Sequence, residues 1–430
     1  MHIALFILYS LICGYGILRL PFFRNCGIRP GVLLLLFAGH VLIGCLHNII
    51  AWRFYPHHGD IWSYYENSIV MGHELWTDFH AFLLDNGTPD RFIHNSLISI
   101  HIILNLFSFQ NLYINTLLFS FPVFLGTTAL FRVFRRHFPG SMLTALSVYL
   151  LPSALFWTSC IHREGALYMS LGFFFYSLDR LPTQDNLAPA SARWRPRLIA
   201  LFWFFLIAYF RPAVALSLLP ALAAWWWLSI PSRPLQRKTL LAASALVLLA
   251  ILLAGPFLLR ILAHQQQAFQ VLEGHSRIDL PVLDGSLTSF LHTLPAALLN
   301  GWLEPLPGAG GQKIYTIFSL ELLAIWAIAA FALLLLTIRP QRSPKPSAAA
   351  TNPTPEAVAA PRDHFAICCI LFALLGMLLV GLIVPFVGAI VRYRSIFLPF
   401  LLAPFLHYLC STPLLRRFDQ WITPRIAHRL

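Results

Sequence analysis

The sequence predicts an all-α, polytopic membrane bundle of about eleven spanning helices, with interfacial helices in its first outer loop. Three observations carry that reading. First, 58% of the 430 residues are hydrophobic, 11% are charged and the mean hydropathy is +0.70, whereas a soluble domain is about 45–50% apolar and about 25% charged. Second, the chain contains repeated apolar runs close to the roughly 20 residues that a helix needs to cross the hydrocarbon. Third, lysine and arginine alternate between two sets of loops, as they do when one set faces the cytoplasm. A soluble globular, disordered or fibrous protein is excluded by the same composition.

In chain order the runs are 2–18, 31–51, 111–131, 141–159, 165–179, 198–210, 212–230, 239–259, 314–338, 364–390 and 396–412. The first has neither a basic leader nor a small-residue cleavage site and reads as a retained helix. The run 198–210 is short, about 20 Å at about 1.5 Å per residue. Fused with 212–230 it would be far too long, and every later loop would change sides. It is therefore read as one arm of a hairpin turning at Arg211-Pro212. Ser96–Phe109 is apolar but short and reads as a helix lying in the outer interface.

Segments 19–30, 132–140, 180–197, 231–238, 339–363 and the tail after 412 carry 21 of the 30 basic residues. The opposite set of loops and turns carries 11 of the 17 acids. The basic set is placed in the cytoplasm, which puts the N-terminus outside and the C-terminus inside. On this distribution the net charge of +13 belongs to membrane topology, and no nucleic-acid partner is expected. Residues 1–339 read as a bundle with outer loops 52–95 and 264–313. Residues 340–363, rich in Pro, Ala and Ser, read as a disordered cytoplasmic linker, and 364–430 as the last two spans and the tail. The seven cysteines include no CxxC pair, which argues against a disulfide framework and against a zinc site.

The first outer loop opens Tyr55-Pro-His-His-Gly-Asp60-Ile-Trp-Ser-Tyr64-Tyr65-Glu66. Asp60 follows a spanning helix and a glycine that lets the backbone turn. A carboxylate there, among aromatic rings, is placed to meet a lipid head group and to take a proton from an acceptor hydroxyl. Its alternative is to start a helix running through Tyr65. His57 and His58 could ligate a metal or donate to a phosphate, although adjacent histidines point apart in regular structure. Asn86-Gly-Thr88 has the form of a glycosylation sequon.

The short outer turns hold His162-Arg163-Glu164, Arg211 and Arg392-Tyr393-Arg394. Four arginines at outer helix ends run against the usual basic bias. Arginine suits bidentate phosphate recognition, so a shared cavity would hold a lipid phosphate or pyrophosphate. The alternative for each is snorkelling or a local ion pair, such as Arg163 with Glu164. Glu321, inside a span, faces a cavity or pairs with an arginine.

The layout resembles bacterial integral membrane glycosyltransferases of the GT-C superfamily, particularly members from envelope-polysaccharide loci. Four stretches carry the likeness: His58-Gly-Asp60 followed by Tyr64-Tyr65; Leu151-Pro-Ser-Ala-Leu-Phe-Trp157 leading to His162-Arg163-Glu164; Phe210-Arg211-Pro212; and Val391-Arg392-Tyr393-Arg394-Ser395 before a Pro-rich last span. Two spans precede the acidic loop here, where better-known members have one. The resemblance implies a plasma-membrane enzyme of a bacterium that moves a sugar from a polyprenyl-phosphate-linked donor to a glycan or lipid acceptor on the outer face, with inversion. It implies Asp60 as base, with Arg163, Arg211, Arg392 and Arg394 on the lipid phosphate. His58, Tyr64, Glu66, His162 and Tyr393 line the substrate site. No cofactor is assigned with certainty, and a divalent metal is left open because the acid of this family serves as base or helps hold a metal. A polysaccharide repeat-unit polymerase and a lipid-linked sugar transporter or flippase are the alternative readings.

Overall fold

Inside hydrocarbon a backbone N–H or C=O has no water to bond, so an apolar segment satisfies itself by coiling into a helix. The computed structural model describes residues 1–55, 59–77, 89–181, 190–229, 255–272, 276–307, 313–338 and 364–427. It is 85% helical, with no strand among the described residues. The helices are α1 (His2–Arg19), α2 (Pro21–Arg24), α3 (Pro30–Phe54), α4 (Gly59–Thr77), α5 (Pro89–Ser108), α6 (Leu112–His137), α7 (Met142–Leu150), α8 (Pro152–Thr158), α9 (Arg163–Asp179), α10 (Ala190–Phe210) and α11 (Pro212–Ser229). They continue with α12 (255–270), α13 (Leu287–Trp302), α14 (Lys313–Ile338), α15 (Phe365–Ile383), α16 (Val387–Arg394), α17 (Leu398–Ser411) and α18 (Pro413–Ile426).

Six described helices are long and apolar enough to cross a membrane: α1, α3, α6, α11, α14 from Tyr315, and α15. The bent pair α16 and α17, meeting at 57°, makes a seventh if it counts as one broken span. The protein is a multi-pass membrane protein. The first loop carries helices, α4 and α5, as expected, and α5 contains the short apolar stretch Ser96–Ser108.

Several runs take a form that the hydropathy did not show. The run 141–159 is two helices broken at Leu151, because Pro152 opens α8 at its first position, where its missing N–H costs nothing. At about 1.5 Å per residue, neither the 9 residues of α7 nor the 7 of α8 spans the hydrocarbon alone. The run 198–210 is lengthened by its approach, since α10 begins at Ala190 and reaches 21 residues. It ends at Phe210, Arg211 stands outside both helices, and Pro212 starts α11. The run 364–390 ends its helix at Ile383, and the chain restarts at Val387. Of 239–259, only 255–259 lies within the described residues, in a helix that runs on to 270. The segment 340–363, the histidines at 57 and 58, and the sequon at 86–88 lie outside the described residues. The tail forms α18, which the apolar runs did not reveal.

The chain divides into two compact units, 1–215 with 417–430, and 216–416. In the first, α6 is the central helix, packed by α1, α3, α5, α7 and α9, with α10 on the far side of α9. Hydroxyls on α6 donate to carbonyls one turn back in the same helix, as Thr127 does to Val123 O at 3.0 Å and Thr128 to Phe124 O at 2.8 Å. The tail is stitched to this unit: the Arg29 backbone N–H donates to Ile426 O at 2.8 Å, and the Leu143 N–H donates to the Asp419 carboxylate at 2.8 Å. In the second unit α15 packs on α13 and α17, and α14 on α17. Gln266 ties its loop together, donating to Pro281 O and Leu382 O and accepting from the Leu283 N–H.

Candidate functional site

The first unit gathers its chemistry where α3 ends and α4 begins. Gly59 has φ +71°, a conformation that glycine adopts without the strain a side chain would bring. The helix α4 starts at this glycine, one residue before Asp60. The Asp60 carboxylate therefore sits in the first turn of α4, where the helix dipole favours it, and it is exposed. The helix-start reading of Asp60 holds, and the helix runs well past Tyr65, to Thr77.

The next residues lock α4 in place. Ile61 is buried with Ala51 and Cys160, and Tyr55 and Trp62 pack against that cluster. The Trp62 indole donates to Asn48 O at 3.0 Å. One turn on, Tyr64 packs against a core of Leu97, Phe119, Val123, Ile161 and Ala166, which Phe210 also touches. Three segments far apart in sequence thus meet: the start of α4, the turn between α8 and α9, and the end of α10. Tyr65 donates to Gln110 O at 2.8 Å; burial, and then the neighbouring Glu66 carboxylate, hold its phenol above the ordinary value. Glu66 itself is exposed.

The turn that carries His162-Arg163-Glu164 is held from both sides. Ser120 donates to Ser159 O at 3.2 Å, and the His162 N–H donates to Cys160 O at 2.8 Å. Glu164 is fully buried in the first turn of α9. Its partner is Arg211, whose Nη2 donates to Oε1 at 2.6 Å, and not the adjacent Arg163, which is half-buried. A buried ion pair of this kind contributes little net stability, but it fixes where both charges stand.

Behind this turn lies a chain of buried amides. Asn48 donates to Thr116 Oγ1 at 2.8 Å, Asn115 donates to Asn105 Oδ1 at 2.7 Å, and Asn105 donates to Ser68 at 3.0 Å. His101 Nδ1 meets the Asn115 amide nitrogen at 3.4 Å. Asn48 Oδ1, Asn115 Oδ1 and His101 Nε2 are buried and have no hydrogen-bond partner among the described residues. Atoms left so mark a place that takes ordered water or a polar ligand.

Burial holds the His101 imidazole neutral, its pKa down at about 3, with repulsion from His162 adding to it. The unfolded chain takes up its proton near pH 6.5. The contribution of His101 to stability is therefore complete above about pH 6.5 and is lost as pH falls toward 3. Thermal unfolding in detergent between pH 7 and 4 is expected to show a falling melting temperature in the wild type and a shallower fall in His101→Phe. Equal slopes would mean that His101 is not the group responsible.

Among the described residues one trio of metal-ligating side chains comes together: His47 on α3, with Cys160 and His162 from the turn. All three are buried, and their ligand atoms lie within 4.8 Å of one another. Gly44, one turn before His47, makes this approach possible. A Cβ there would stand 2.3 Å from Ser159 O and 2.8 Å from Thr116 Cγ2. Gly44→Ala is expected to force α3 off the turn and to lower stability by about 1–3 kcal/mol, the usual cost of overpacking. A melting temperature equal to that of the wild type would show that the helix yields freely.

The other predicted site residues belong to the second unit. Arg392 is half-buried; its Nη2 donates to the Tyr393 hydroxyl at 3.3 Å, and its guanidinium lies 5.0 Å from the centre of that ring. Arg394 is 1% exposed. It donates to Gly301 O at 3.2 Å and to Glu304 O, and its charged neighbours are Glu321 and Glu304. Arg394 therefore fastens α13 to α16 through its Nη1, which donates to both carbonyls. Glu321 is also buried and is a charged neighbour of Arg394. Asp284 lies at the start of α13, where hydrogen bonds with Ser289 and Ser286 bring its carboxyl down to about 2.

Reading by sequence missed His47, Asn48 and His101. A His-Asn pair in the C-terminal half of a largely apolar 25-residue helix was the available clue, since polar groups in a spanning helix face the protein interior. No protein-family model, curated protein or solved structure matches the chain.

Proposed function

We propose that the protein is a GT-C-type membrane glycosyltransferase. On this reading it has eleven spans, its N-terminus lies outside a bacterial plasma membrane, and it transfers sugar from a polyprenyl-phosphate-linked donor to a glycan or lipid acceptor at the outer face. One observation carries the reading: the exposed Asp60 carboxylate, the His162-Arg163-Glu164 turn and Arg211 belong to segments that pack on one another through Ile61, Cys160, Tyr64, Ile161 and Phe210. That brings a candidate base and two guanidinium groups into one neighbourhood of the first unit.

The chemistry follows from those charges. Breaking a sugar–phosphate bond leaves growing negative charge on the phosphate, and pre-set cations in a poorly hydrated site stabilise it. Glu164 positions Arg211 for this, and Arg163 is the residue next to Glu164 in the same turn. Asp60 takes the proton from the acceptor hydroxyl as the new bond forms on the opposite side of the sugar, which inverts the anomeric carbon. Tyr64, Glu66 and His162 line this neighbourhood.

A second reading has its own observation. The broken pair α16 and α17 carries Arg394 buried beside Glu321 and Glu304, and broken helices with charges are the usual parts of a transporter. Purified protein in detergent, given radiolabelled polyprenyl-phosphate sugars and a mixed glycan acceptor, separates the two. Label moving onto the acceptor supports transfer. No label transfer, together with facilitated crossing of the donor lipid in proteoliposomes, would replace the transferase with a transporter. Reporter fusions near residue 60 that report a cytoplasmic position would remove the outer-face reaction altogether.

A further inference from the structure

We propose that His47, Cys160 and His162 form a zinc site with three protein ligands and one open position. The inference does not depend on the transferase reading, and none of the residues assigned to phosphate or acceptor chemistry is needed for it except His162.

The geometry is close to what the ion requires. Zinc bonds of about 2.0–2.3 Å in a tetrahedron put neighbouring ligand atoms about 3.4–3.6 Å apart. The three ligand atoms here are already within 4.8 Å of one another, so side-chain rotation of about an ångström closes the set. The backbone is braced for it. Cys160 and His162 are held across one tight turn by the His162 N–H to Cys160 O bond, and Ser120 anchors the residue before them. His47 comes from a different helix, and Gly44 lets that helix touch the turn. The His47 ring stands 5.2 Å from the His162 ring, centre to centre, with Phe156 at 4.3 Å and Trp157 at 5.1 Å forming the wall.

The donor chemistry selects the metal. One thiolate and two imidazoles are a borderline-to-soft set, suited to zinc and ill-suited to magnesium or calcium, which take oxygen ligands. The thiolate and the divalent ion together leave one positive charge, so the open position favours an anionic oxygen, either hydroxide or a ligand oxygen. The absence of a CxxC pair carries no weight here, because the ligands come from two segments more than a hundred residues apart.

The full-length protein in detergent tests this. Elemental analysis is expected to find about one zinc per chain after removal of loosely bound metal. After chelation, the protein is expected to bind one Co2+ with a thiolate-to-cobalt charge-transfer band. Cys160→Ser should abolish that band, and His47→Asn should weaken Co2+ binding at least tenfold. Zinc-edge X-ray absorption of the wild type should show one sulfur in the first coordination shell, which needs no variant to fold. Folded wild type that neither carries nor takes up stoichiometric Zn2+ or Co2+ overturns the site. So does a coordination shell without sulfur, or a charge-transfer band that survives in Cys160→Ser.

Discussion

Asp60→Asn is expected to abolish sugar transfer while the protein still inserts, extracts and melts like the wild type. The amide keeps the shape of the side chain and removes its ability to hold a proton. General-base catalysis contributes about 10²–10⁴-fold in rate, so the loss should reach at least two orders of magnitude in label transferred per unit time. Folding is spared because Asp60 is exposed, and the helix-dipole term that the amide gives up is about 0.3–1 kcal/mol. Ile61 and Tyr64, which hold α4 against the first unit, are untouched. Equal activity in the two proteins would remove Asp60 from the mechanism. Equal loss of activity and of melting temperature would make it a helix-start residue and nothing more.

The second large effect concerns stability. Glu164→Gln leaves the Arg211 charge in a site where 15% of its side chain is exposed, and Arg211→Met leaves a carboxylate with 1% of its side chain exposed. Breaking a buried pair from one side costs about 3–5 kcal/mol, whereas replacing both partners with apolar groups is often neutral. Each single variant should therefore melt well below the wild type, and the Glu164→Leu, Arg211→Met double variant should recover most of the loss. The pattern separates a buried pair from a surface one, for which about 0–1 kcal/mol is usual. If both single variants melt within that range and the double variant adds their effects, the two charges do not depend on each other. Transfer activity should be lost in Arg211→Met and in the double variant, because the apolar replacement restores packing without restoring the cation.

Sequence by itself determined the solvent and much of the secondary structure. Apolar runs of sufficient length leave no alternative to helix in a bilayer, so His2–Arg19, Pro30–Phe54, Leu112–His137, Pro212–Ser229, Tyr315–Ile338 and Phe365–Ile383 were legible before any coordinates. Local punctuation was legible for the same reason: Gly59 turns the chain ahead of Asp60, and Arg211-Pro212 separates two helices. Local rules were also enough to break the run 141–159, because Pro152 has no N–H to give, yet hydropathy averaging hid it.

Tertiary structure alone decided which groups meet. Glu164 faces an arginine 47 residues away and not its neighbour, because the α9–α10 packing brings Arg211 to it. Arg394 looked like a surface cation from its place at a helix end, and packing buried it on the carbonyls of Gly301 and Glu304. His47 was invisible as a ligand until α3 came to rest on the Cys160 turn. Hydrophobic periodicity and charge bias are properties of one segment in its solvent. A charge pair or a ligand set depends on distances between segments, and those are set by how side chains fill the space between helices.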